Sequence, residues 1–173
     1  MRFLNAEQCM DWCKRHSIAL SSAETPELSA HLGMPGIRFG PPERPYALGA
    51  FTSTLASWLD AGSETLMWVP TSHHVLELFE LYRRVRQAYG NASRVAEEPG
   101  HLFAHDEVEE LASFLLLVLL ANVDTHVLSA SGARLFISSS SWLEYSSNDL
   151  GKLEGKRDEL REHDVPLFVA RSA

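Results

Sequence analysis

The sequence predicts a single α/β (α+β) domain, a mixed β-sheet with helices packed on one or both faces, and three observations predict it. Helical and strand periodicities alternate along the chain, one local hairpin signal spans about residues 123–138, and Gly, Pro and capping residues punctuate every change of period. That order excludes an all-helical bundle and an all-β sandwich.

Asn5 with Gln8 three residues later forms a capping box, which opens a helix from Ala6 to about His16. Ile18 to Leu20 fits a short strand. Thr25-Pro26 followed by Gly33 brackets a short helix. Residues 33–45 carry prolines and glycines that remove donors and order, so they cannot remain regular for long. Leu48, Phe51, Leu55, Trp58 and Leu59 then recur at helical spacing, and Thr65 to Val69 is an apolar run of strand length ended by Pro70.

Ser72 caps a helix whose stripe is Val75, Leu78, Phe79, Tyr82, Val85 and Tyr89, closed by Gly90. Residues 91–100 are polar and read as an internal linker. Leu102-Phe103 fits a short strand. Asp106 with Glu109 reads as a second capping box, opening a helix over 107–121. Val123 to Ala130 and Ala133 to Ser138 form the hairpin about Ser131-Gly132, and Trp142 to Ser146 extends or follows it. Asp149 caps a polar helix with Leu150, Leu153 and Leu160 inward. Val165 to Val169 is a last strand, at an edge because Pro166 leads it.

With 173 residues, 45% hydrophobic and 22% charged, the chain can bury a core without disulfides or metal. Its formal charge of −8 repels phosphate backbones, which argues against broad nucleic-acid binding. The longest apolar run, Phe114 to Ala121, is far short of the roughly 20 residues a bilayer needs. No secretory signal opens the sequence, and two cysteines make no disulfide framework, so a cytoplasmic location is expected.

Several constellations qualify as candidate chemistry. Ser72, His73 and His74 lie where a strand end meets a helix start, a place where ligands collect and imidazoles serve as base or anion contact. His101 and His105 precede the second capping box and could join them if the two junctions are neighbours. Asp124 and His126 share one face of a strand by period two, the orienting half of a nucleophile triad, but no G-x-S-x-G elbow accompanies them. Cys9, Cys13 and His16 share a helix face, yet core packing explains free cysteines better than metal does. No metal site and no cofactor is expected, since dinucleotide, P-loop, H-E-x-x-H and EF-hand patterns are all missing.

Two features point to surfaces. The helix over 107–121 is apolar on nearly every side, so it is either sandwiched within the core or buried against a second copy. The long loop 33–45 carries Arg38 and Arg44 as candidate ligand contacts and is either a flap over a pocket or an ordinary surface excursion. The function expected first is therefore a non-catalytic binding or interaction domain, with another protein or itself as partner. The second is a small cofactor-independent hydrolase or transferase working through Ser72, His73 and His74.

Overall fold

The computed structural model describes residues 1–18, 34–59, 62–69, 80–162 and 165–168. Within them the chain runs β1 (Arg2–Leu4), α1 (Ala6–Arg15), β2 (Gly36–Phe39), a 3-10 turn (Pro45–Ala47), α2 (Leu48–Leu59), β3 (Thr65–Trp68), α3 (Glu80–Ala88) and β4 (Gly100–Phe103). It continues through α4 (Val108–Ala121), β5 (Thr125–Ser129), β6 (Arg134–Ser138), β7 (Trp142–Ser146), α5 (Leu150–Glu162) and β8 (Leu167–Phe168). All eight strands join one sheet in the order β1-β4-β3-β5-β6-β7-β2-β8. This is the α+β class expected, with its hairpin in place. The described pairings are antiparallel throughout, so the mixture of parallel and antiparallel neighbours implied by helix–strand alternation does not appear among them.

Two cores flank the sheet. The larger packs α2, α4 and parts of α3 and α5 onto Ile37, Phe39, Met67, Phe103, Val127, Leu135, Ile137, Leu143 and Tyr145. These side chains belong to alternate positions of their strands, so the intervening residues face the other way. There α1 lays Cys9, Trp12 and Cys13 against Leu66, Trp68, Leu102 and Leu128. The expected Asn5–Gln8 capping box starts α1, each side chain meeting the other residue's backbone N–H at 2.9 Å.

The apolar helix is largely buried in the core. Phe114 of α4 meets His101 at 5.1 Å, Phe103 at 5.7 Å, Tyr82 at 5.8 Å and Tyr89 at 6.0 Å between ring centroids. Its neighbours Leu111, Leu115, Leu117 and Val118 are buried, and Leu120 is the one large apolar residue of α4 left exposed. The start of α4 differs from expectation. No Asp106–Glu109 capping box forms. Instead the Glu107 carboxylate accepts the Ala104 N–H at 2.8 Å and pairs with the Met1 ammonium, which ties the helix start to the edge strand β1.

Other differences have local causes. The loop 33–45 contains a full strand, β2, because Ile37-Arg38-Phe39 alternates between the two faces and lies between β7 and β8. The polar stretch 91–100 is not a free linker: Asn91 is buried, and Gly100 belongs to β4. Gly100 is needed there, since a Cβ would stand 2.2 Å from Cys9 Sγ. Leu150 is exposed rather than inward, leaving Leu153 and Leu160 to anchor α5. The strand Arg2–Leu4 carried no expectation at all. The short helix near Pro26, the residues 19–20 of the strand expected after Ile18, and the first turns of the helix after Ser72 lie outside the described residues.

Candidate functional site

Strand alternation and register together bring two of the expected ligand contacts into one row. On the face that also carries α1, Trp68 pairs with His126, His126 with Phe136, Phe136 with Glu144, Glu144 with Arg38, and Arg38 with Phe168. The row crosses six strands. His126, largely buried, lies 4.8 Å from the Phe136 ring, and Phe136 lies 5.2 Å from Trp142. The Arg38 guanidinium sits 4.1 Å over the Trp142 ring and donates through Nη2 and Nε to one Glu144 oxygen at 2.7 and 3.0 Å. A guanidinium held by a carboxylate on its edge and an indole on its face keeps one orientation at little cost per bond.

Trp142 turns this row into a site. It lines a cavity of about 120 Å³ with Pro41, Pro42, Leu48, Leu119 and Leu143. The walls therefore come from three separate segments: the stretch from the loop after β2 to the first residue of α2, the end of α4, and the β6–β7 hairpin. Two of those segments carry a non-glycine residue in the left-handed region, Asn122 at φ 54° and Ser141 at φ 61°, and both line the cavity. Asn122 caps α4, and Ser141 closes the three-residue hairpin loop 139–141, a position that favours glycine. Tyr46 and Leu120, on the first two segments, are 79% and 53% exposed. Of the four tryptophans only Trp142 is not buried.

The remaining expected site residues that are described lie apart from this row. His101 is fully buried in β4, its Nε2 2.7 Å from the Tyr82 hydroxyl and its ring packed on Phe3 and Phe114. Burial first, and then the Arg86 cation, hold its pKa well below the ordinary imidazole value, so it is a neutral core residue. His105 is exposed on the turn before α4. Asp124 falls just ahead of β5, where its Oδ1 accepts the Ser139 N–H at 2.6 Å and fixes the β6–β7 turn. Arg44 bonds the Tyr46 hydroxyl at 3.0 Å on the exposed loop. Ser72, His73 and His74 lie outside the described residues.

Cys9 and Cys13 are core thiols. Desolvation pushes their pKa values up to about 12 and about 11, and no group of three His, Cys, Asp or Glu among the described residues is placed to hold a metal ion. His16 instead stacks on Trp12 at 4.4 Å.

No family model, characterised protein or solved structure matches the chain. The geometry must then speak for itself. It places Arg38 and His126, of the expected contacts, in one row with Phe136 and Glu144, beside a cavity lined in part by Pro41, Pro42, Leu119 and Trp142. No helix of the described residues is long and apolar enough to cross a membrane. The sequence held one signal for the cavity residues, an aromatic directly after the serine run 138–141, but nothing local announces which loop it will face.

Proposed function

We propose that this chain is a non-catalytic binding domain that recognises a partner protein at the corner formed by Pro41, Pro42, Leu119 and Trp142. The observation that carries the reading is the placement of the one unburied tryptophan on the wall of a cavity of mixed apolar and polar lining, with an arginine fixed on its face. Trp and Arg dominate the energetics of protein interfaces when they sit beside a pocket that takes a partner's side chain. A cavity of about 120 Å³ accepts one anchor of about leucine size. The net charge of −8 supports a protein partner over a nucleic acid.

Among the described residues, His101 and His105 do not pair as acid and base. An acid–base pair needs its members within hydrogen-bonding reach, whereas His101 is enclosed by aromatic rings and His105 is exposed at a turn.

A selection from a displayed random-peptide library tests the proposal, using the whole chain as bait and the W142A variant as comparison. The expected result is a set of peptides that share one apolar anchor and bind W142A at least tenfold more weakly, as removal of an interface hot spot does. Selected peptides that bind the variant and the parent equally contradict it, as does a selection that enriches nothing.

A further inference from the structure

A second site lies at the far side of α4, around a buried cation. Arg86 of α3 is 2% exposed. Its Nη2 donates to Asn91 Oδ1 and to the Glu98 carbonyl, each at 3.1 Å, and its guanidinium carbon lies 4.9 Å from the Phe3 ring centroid. Guanidinium carries five N–H groups. The three on Nε and Nη1 are buried and have no hydrogen-bond partner.

Among the described residues no carboxylate pairs with Arg86 directly. Glu98 offers Arg86 only its backbone oxygen, and its carboxylate accepts from Asn91 Nδ2 instead. Arg83, the next cation on the helix, spends its donors on Glu80. A buried charge with unsatisfied donors is among the costliest arrangements a fold can hold.

Beside Arg86 a cleft of about 20 Å³ opens, lined by Arg83, Asn91 and Ser93 among others and by no acidic side chain among the described residues. That volume admits one group little larger than a water molecule. We infer that this cleft is a binding site for a small monovalent anion of halide size, with the Arg86 guanidinium as its receptor. The ligand's charge replaces the missing carboxylate, and Asn91 holds the guanidinium in place through Oδ1. Phosphate and sulfate are too large to enter fully. Occupancy would fix α3 to the stretch 91–98 and so tie the anion to the stability of the whole larger core. The inference does not depend on the peptide-binding corner.

The test is thermal unfolding of the full chain as sodium bromide replaces sodium gluconate at constant ionic strength. The parent's Tm rises with the logarithm of bromide concentration once the half-saturating value is passed, by about 4 °C at ten times that value. In R86M this dependence disappears, while sulfate gives the parent no comparable rise. Should R86M fail to fold, a bromide anomalous-scattering peak within hydrogen-bonding distance of Arg86 in crystals of the parent serves instead. A Tm that ignores bromide, a rise of equal size in R86M, or bromide sites that avoid Arg86 each overturn the inference. An Arg86-dependent rise with sulfate overturns the size assignment.

Discussion

Replacing Gly100 by alanine tests the two-sided packing of the sheet with a number that the structure supplies. The added Cβ would stand 2.2 Å from Cys9 Sγ, 3.1 Å from Leu4 Cβ and 3.2 Å from the Leu4 carbonyl oxygen. The first contact is far inside van der Waals range, and Cys9 has no free space to turn into, being fully buried between α1 and the sheet. Overpacking of this kind costs about 1–3 kcal/mol, and the backbone oxygen among the neighbours puts G100A near about 3. For a chain of this length that lowers Tm by about 9 °C.

C9A alone removes one buried sulfur and costs about 1 kcal/mol. In the double variant the 2.2 Å contact is gone and only the two longer ones remain. The pair should therefore cost about 2 kcal/mol instead of the roughly 4 expected from addition, a coupling of about 2 kcal/mol. Urea unfolding followed by far-ultraviolet circular dichroism of the four proteins measures it. Additivity within about 0.5 kcal/mol would refute the argument that α1 rests on β4 at this contact.

Three further outcomes follow from particular residues. S141G should stabilise the fold by about 1 kcal/mol in the same urea assay, because glycine adopts φ 61° without the strain a side chain meets there. The thiols of Cys9 and Cys13, pushed up to about 12 and about 11, should stay unreactive toward a thiol reagent at pH 8 in the native protein and titrate fully once it is unfolded. His101 sets a pH dependence whose sign is fixed by its lowered pKa: the unfolded imidazole gains a proton near its ordinary value of 6.5 while the folded one does not. Its contribution is thus intact above pH 6.5 and is lost as pH falls below it, by up to about 1.4 kcal/mol per pH unit, and H101Q should flatten stability between pH 6.5 and 5.

How much of this could be read from the sequence depended on whether the signal was local. The capping box at Asn5, the hairpin about Gly132 and the edge position of Leu167–Phe168 are decided within a few residues, and each is found where local chemistry puts it. β1 and β2 escaped because three or four residues carry too little periodicity, and their extended form is set by partners about a hundred residues away. The Asp106–Glu109 box failed because a long-range charge, the Met1 ammonium, takes hold of Glu107.

The candidate site shows the same division. Arg38 stood out as a charge in an unusual loop, and His126 as an imidazole on a strand. Their union in one row with Phe136 and Glu144 needs the register of four strands. The cavity at Trp142 needs three segments from different parts of the chain to converge. Arg86 lies off the apolar stripe Val75, Leu78, Phe79, Tyr82, Val85 and Tyr89 that the sequence shows, and its burial comes with the hydrogen bonds to Asn91 and Glu98.

The central claim is that a partner engages the Pro41–Trp142 corner. Amide chemical-shift mapping with a selected peptide tests it most directly, because Trp142 is the only one of the four tryptophans that is not buried and its indole N–H gives a separate signal. The account predicts that the largest shifts fall on that indole and on residues 43–48, 119–122 and 138–143. Shifts concentrated around residues 71–75, with the Trp142 indole unmoved, would contradict it.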